Sequence, residues 1–317
     1  MKLKNLTIAI AMASLAATSF AAQAEDGTSF YGSVRVGINN TDNGVTSTTQ
    51  FQNWYSRMGF KAETEVADGL KGFGHYEFGV DTDSADNNCT VSSSGTCSGG
   101  GALSTRKAYV GLKGGFGRVR IGQDYHTFYN SVIAPMDLAW DGAAAGASAL
   151  GTYTGRTGEA LTYDTTVGQV GLGATMYQGD DTYNDGYEIG ASFDAGPVKV
   201  GVAYKDADFS GTAEDTSKAY GVALGGKMGP AEYGFAYTDR DNTGNSIDLH
   251  VGYAGAYLAY GQADLDAGPK PTGITVGYTL PIGKKTSAWF EAQQTDDDLG
   301  TATSEVTQLK AALKYDF

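Results

Sequence analysis

The chain has 317 residues, a formal net charge of −14, a mean hydropathy of −0.26, and 46 glycines and 20 tyrosines against 6 prolines. Such acidity argues against nucleic acid as a partner, because phosphate binding needs basic patches. Beyond the first 24 residues no window approaches the roughly 20 apolar residues of a spanning helix, which leaves a soluble fold or a β-barrel.

Residues 1–24 read as a cleaved secretory signal peptide. Lys2 and Lys4 form a basic start, Leu6 to Phe20 an apolar run too short to span, and Ala22-Gln23-Ala24 a small-x-small cleavage site. The mature chain, residues 25–317, is expected to be a single domain. Losing Lys2 and Lys4 lowers its net charge by two, to −16.

The mature chain then reads as about sixteen segments, mostly near ten residues long, with period-two alternation. In the first, Phe30, Val34, Val36 and Ile38 share one parity, and Tyr31, Ser33, Arg35 and Asn39 the other. In the second, Met58, Phe60, Ala62 and Val66 oppose Arg57, Lys61, Glu63 and Glu65. The alternation predicts strands with one apolar and one wet face, a pattern that a barrel and a soluble sandwich share. Two segments, AYLAYGQADL and SAWFEAQQT, have no clear parity.

Connections alternate in length. Short ones such as VADG, GGFG and DAGP carry turn residues. Long polar ones include 40–52, 82–104, 206–217, 239–245 and 296–303. Short turns at one end and long loops at the other are the habit of transmembrane barrels. Cys89 and Cys97, eight residues apart in a polar loop of an exported chain, are expected to form a disulfide. No His or further Cys lies near them to complete a metal site.

The longest stretch without strand pattern is Gln123 to Gly158. It carries Tyr125, Phe128, Tyr129, Ile133, Trp140 and Tyr153, side chains that need a surface to pack on. A structureless run this long is usually functional. It is expected to fold into the barrel and narrow the bore.

Several stretches resemble the trimeric general-diffusion porins of Gram-negative outer membranes: YGSVRVGI, YSRMGFKAETEV, TRKAYVGLKGGFGRVRIGQDY, GRTGEALTYDT and the terminal KYDF. The resemblance implies an all-β, closed antiparallel transmembrane β-barrel of sixteen strands whose third external loop folds inward. It implies a homotrimer surrounded by outer-membrane lipid and lipopolysaccharide, passing small hydrophilic solutes and ions without a cofactor or bond chemistry.

By the same resemblance, Arg57, Arg106 and Arg156 match the family's arginine wall, and Arg35 supplies the charge of a wall lysine that is Ser33 here. Asp137 and Asp141 would be the loop acids facing that wall. Alternation agrees for Arg57 and Arg156. Arg106 conflicts, sharing parity with Ala108, Val110 and Leu112. Arg118 and Arg120 read as rim charges.

A substrate-specific channel is the first alternative and would need an aromatic track or extra basic residues, but the tyrosines read mostly as outward or unclear. A surface adhesin comes next. A barrel hydrolase would need a nucleophile motif beside Asp124-Tyr125-His126, and none is present. The acidic total and the loop acids together predict a mild cation preference.

Overall fold

The computed structural model describes residues 27–81, 90–91, 97–98, 103–153, 155–178, 186–206 and 218–317. Residues 1–24, expected to be a signal peptide, Cys89 and the acidic loop at Asp180, Asp181 and Asp185 lie outside these residues.

Sixteen strands form one closed antiparallel sheet. They are β1 (Ser29–Asp42), β2 in two pieces (Ser47–Asn53 and Arg57–Ala67), β3 (Leu70–Val80), β4 (Leu103–Gly114), β5 (Gly117–Gln123) and β6 (Ala160–Val167). They continue as β7 (Val170–Tyr177), β8 (Gly186–Asp194), β9 (Lys199–Asp206), β10 (Lys218–Met228) and β11 (Ala231–Arg240). The last five are β12 (Gly244–Tyr253), β13 (Ala256–Leu265), β14 (Thr272–Pro281), β15 (Thr286–Asp296) and β16 (Glu305–Asp316). Each pairs with its chain neighbour, and β1 closes the sheet on β16 from Ser33↔Asp316 to Asp42↔Thr307. Closure leaves no edge strand, the condition for an unpaired backbone to be avoided in lipid.

Alternation sorts the faces as the sequence predicts. Val34, Val36, Ile38, Val200, Val202, Val222 and Leu224 are exposed on the outer face, while Ser33, Asn39, Ala203, Ala219 and Ala223 are buried on the inner one. The two segments without clear parity alternate cleanly in space. Tyr257, Ala259 and Ala263 point in and Leu258 out; Trp289 and Glu291 point in and Phe290 out. Their sequence signal was blurred because large aromatics occupy inward positions.

Outward tyrosines gather near both ends of the strands. Tyr187–Tyr204 and Tyr220–Tyr237 ring pairs sit toward the long-loop end. Tyr163 and Tyr233 donate to the carbonyls of Phe116 and Pro197 near the short turns, at 2.6 and 2.9 Å. Such girdles mark the two interfaces of a membrane barrel.

The short turns cluster at one end. Asp68-Gly69 and Gly168-Gln169 reverse the chain in two residues, with both glycines at left-handed φ (69° and 62°) where a side chain would be strained. At the other end two connections are shorter than expected. Strands β1 and β2 extend until only residues 43–46 join them, and residues 241–243 alone join β11 to β12. Polar side chains such as Asn40 and Thr49 pair across these extended strands, at 2.9 Å, so polarity did not mark a loop there.

Two irregularities re-aim side chains. Arg57 and Asn53 of β2 pair with Ser33 and Val36 of β1, so three residues of β2 oppose two of β1, with Tyr55 at φ 60°. A second register shift falls where Glu77 faces Lys107 and Phe78 faces Thr105, leaving Arg106 as the extra residue. A bulge of this kind reverses the parity that follows it.

The described main chain pairs Thr90–Val91 with Cys97–Ser98 as two-residue strands. The disulfide itself, involving Cys89, falls outside the described residues and stands as an expectation. Thiol titration of the unreduced, denatured protein should find no free cysteine.

Candidate functional site

Between β5 and β6, the described residues of 124–159 run along the inner face of the barrel. They hold a π-helical turn at Tyr129–Ile133 and an α-helix at Ala145–Leu150. Phe128, Val132, Ile133 and Met136 are fully buried and pack against Ala203, Ala219, Ala223 and Ala236, all inward positions of β9 to β11. The wall is built of small residues where the segment comes closest. A Cβ on Gly234 would sit 2.6 Å from Met136 Cα, and one on Gly201 would collide with the carbonyl of Ser131.

Polar anchors complete the attachment. The Asp248 carboxylate accepts the amides of Gly146 and Ala147, both at 2.8 Å. Glu188 accepts the amide of Phe128 at 2.8 Å, and Glu291 those of Trp140 and Asp141 at 3.1 Å. Asp248, Glu188 and Glu291 are all buried. Trp140 stacks on Trp289, 5.2 Å between centroids, and Trp289 meets Trp54 edge-on at 5.1 Å. All three tryptophans of the chain therefore converge where the segment crosses to β1, β2 and β15. The contacts reach inner positions from β7 round to β1, so the segment lies inside the barrel.

The root of the segment is held by Arg120, which is 2 % exposed and pairs with Asp164 and Asp124 while donating to the Tyr125 carbonyl at 3.0 Å. This overturns its reading as a rim charge: β5 is short, and its inward side chain lies beneath the segment. Arg118, half exposed, makes a two-point pair with the same Asp164 at 2.9 Å. His126 donates from Nε2 to the Thr157 carbonyl at 2.7 Å, so Nδ1 is the acceptor for Thr162. Burial pushes this histidine below its usual value, which keeps it neutral at pH 7.

The four arginines singled out in the sequence come together. Arg106 donates to Glu77 at 2.8 Å and Arg57 approaches the same oxygen at 3.9 Å. Arg156 lies 4.9 Å over the Tyr125 ring and bonds its hydroxyl. Arg35 donates to Ser33 Oγ at 3.1 Å and lies 5.0 Å over Trp140. Arg57 feels the charge of Arg35, Arg106 and Arg156. The bulge at Arg106 removes its parity conflict, because Arg106 and Lys107 both turn inward.

The two loop acids take partners on the segment and the wall. Asp137 accepts the hydroxyls of Tyr129 and Tyr153 at 2.6 and 2.8 Å. Burial and that carboxylate hold both phenols well above the usual tyrosine range, so they remain donors. Asp141 accepts Tyr55 at 2.8 Å and pairs with Lys310. Among the described residues neither acid forms an ion pair with an arginine, and the carboxylate paired with Arg57 and Arg106 is Glu77 of the wall. Glu77 is a strand residue with ordinary inward parity, and nothing in the sequence set it apart from Glu63 or Glu65.

The inner wall also carries rings, Tyr31 on the parity of Ser33 and Arg35 as the sequence has it, and others that the sequence left unplaced. Tyr31, Phe73, His75, Tyr109 and Tyr125 all face the bore side of β1, β3, β4 and the segment. The Tyr31 hydroxyl donates to Glu77 at 2.8 Å, so His75 donates from Nε2 to Tyr31 at 2.6 Å and accepts from Tyr109 at 2.9 Å.

A family model described as a Gram-negative porin matches residues 11–317. Outer membrane porin F of Xenorhabdus nematophila is 33% identical over 187 residues, covering 53% of this chain and 48% of that relative. This chain thus spans about half the length of that curated relative. An anion-selective porin from Comamonas acidovorans superposes with a TM-score of 0.68 at 19% identity, over 92% of this chain and 100% of the other. The trimer form of OmpT from Vibrio cholerae gives 0.69 at 15%, over 92% and 99%. At these identities the likeness of the solved structures is one of fold.

Proposed function

This chain belongs to the Gram-negative porin family, and on that premise we propose that it is a passive outer-membrane channel for small hydrophilic solutes and ions. The observation that carries the reading is the 124–159 segment, anchored inside a closed sixteen-stranded barrel beside four arginines. A barrel of this strand number has room for an aqueous bore, and a segment along its inner wall leaves a narrower passage. Arg35, Arg57, Arg106 and Arg156 then line one side of that passage. Solutes cross down their gradients, sorted by size and by the field of these charges.

The cation preference expected from composition rests on two supports, the acidic mouth and the loop acids. Asp141 is paired with Lys310, and Asp137 is turned toward two tyrosines. Of the four guanidinium groups, Arg57 and Arg106 share the single carboxylate of Glu77, while Arg35 and Arg156 lie against the rings of Trp140 and Tyr125. We read the narrow zone as anion-preferring. The acidic mouth opposes it at low salt and fades as the Debye length falls from about 10 Å at 0.1 M to about 3 Å at 1 M. In planar bilayers the zero-current potential should move toward anions as salt rises. Replacing Arg57 and Arg106 by serine should shift it toward cations, and an unmoved potential in a folded double variant would remove these arginines from the passage. The trimeric form of the OmpT neighbour supports a homotrimer here, for which conductance should rise in three equal steps per insertion.

A second reading, a channel with a preferred substrate class, is favoured by the aromatic and basic residues on the inner wall of β1, β3 and β4.

A further inference from the structure

We propose that this inner wall is a binding track for aromatic carboxylates, an inference that rests on the channel reading. Four rings form a continuous ridge. Phe73 meets Tyr109 at 6.2 Å between centroids, Tyr109 meets His75 at 5.2 Å, and His75 meets Tyr31 at 5.8 Å. Strand register orders them, with Phe73 nearest the short-turn end and Glu77 with its arginines four residues further along β3. The ridge therefore leads from one mouth toward the narrow zone.

Cations accompany the ridge along its length. Lys113 lies 6.0 Å from the Phe73 centroid and Lys61 5.1 Å from Tyr31. At the upper end Lys107 and Arg156 take positions 5.2 and 4.9 Å from Tyr125. Among the described residues carboxylates are fewer than cations on this wall, and each is shared, Asp164 between Arg118 and Arg120 included. Glu63 lies between Lys71 and Lys113, Glu77 between Arg57 and Arg106, and Asp124 between Lys107 and Arg120. Lys61 has no carboxylate pair among the described residues, and it is exposed.

A ring beside a cation is half of a recognition unit. A guest with a flat π-face and an anionic group completes both halves, stacking edge or face on the ring while its charge meets the ammonium or guanidinium. An aliphatic anion uses only the cations, and a neutral sugar lacks the charge. Repetition of the unit from mouth to narrow zone suits transit, because several weak sites in series allow entry without trapping. The tyrosine and histidine hydrogen bonds hold the rings in place, so little ordering is required on binding.

The test uses the full-length protein in planar bilayers. Conductance in KCl is measured first, then permeability from zero-current potentials in sodium benzoate and in sodium cyclohexanecarboxylate, which share charge and carbon count but differ in π-face. Benzoate is expected to be about fivefold more permeant, which at 1.4 kcal/mol per tenfold is about 1 kcal/mol, the scale of one aromatic pair. It should also interrupt the KCl current transiently. Phe73→Leu with Tyr109→Leu should bring the ratio toward one. Equal permeability in a channel that conducts KCl overturns the track while sparing the channel reading. Absence of KCl conductance overturns both. If the double variant does not fold, the comparison of the two acids in the unmodified protein decides alone.

Discussion

Deleting residues 134–149 should enlarge single-channel conductance by roughly a factor of two or more, because current follows the open cross-section of the bore. The deletion removes Met136, Trp140, Asp141 and all of the α-helix but Leu150, the parts that reach across to β11 through β15. The barrel should still assemble, since its strand ladders and the β1–β16 closure involve none of these residues. Asp248, Glu291 and Lys310 lose their partners on the segment, but they then face water in the bore and are hydrated rather than stranded, and Glu291 keeps Tyr257 and Lys310. Phe128, Val132, Ile133 and Leu150 are fully buried now and would be partly wetted, at about 1.5–3 kcal/mol for each one fully uncovered. A lower melting temperature with intact strand content is therefore expected beside the larger current. Unchanged conductance in a folded, inserted variant would mean that the segment does not limit flow.

Much of this was legible in the sequence, for a reason specific to barrels. Period-two alternation records which face meets lipid, so Val34, Val36 and Ile38 declare their side without any knowledge of partners. Arg57 could be assigned inward on the same ground. Arg106 could not, because the bulge at Glu77/Lys107 changes the parity by one residue and leaves no residue-type signature. The long segment was visible through its lack of period and its buried-type aromatics. Its partners were not, because Asp137 and Asp141 differ only in which neighbours the chain brings to them: Tyr129 and Tyr153 for one, Tyr55 and Lys310 for the other. Inward aromatics such as Tyr257 and Trp289 misled alternation because the segment covers them, creating an apolar patch on a face that is otherwise wet.

Lys310→Met is expected to detach the middle of the segment from β15 and β16. The Lys310 side chain is almost wholly buried and serves two carboxylates, Asp141 on the segment and Glu291 on the wall. Glu291 also accepts the Tyr257 hydroxyl at 2.7 Å and the amides of Trp140 and Asp141. Methionine matches the length of the lysine stem but leaves two negative groups facing each other with no cation between them. Removing one partner of a buried pair typically costs about 3–5 kcal/mol. Here the segment can move instead, and that movement caps the loss: once Asp141 swings out, both carboxylates are hydrated. The expected signature is a barrel of nearly normal melting temperature whose current is noisy and visits larger sub-states. Adding Glu291→Gln to Lys310→Met removes the second charge while keeping an acceptor for Tyr257 and the two amides, so quiet conductance should return. The coupling between the two changes, read by a double-mutant cycle on the open-state distribution, should be strongly favourable. Independent, additive effects would mean that Lys310 and Glu291 do not act together to hold the segment, and that the tryptophan stack of Trp54, Trp289 and Trp140 suffices to latch it.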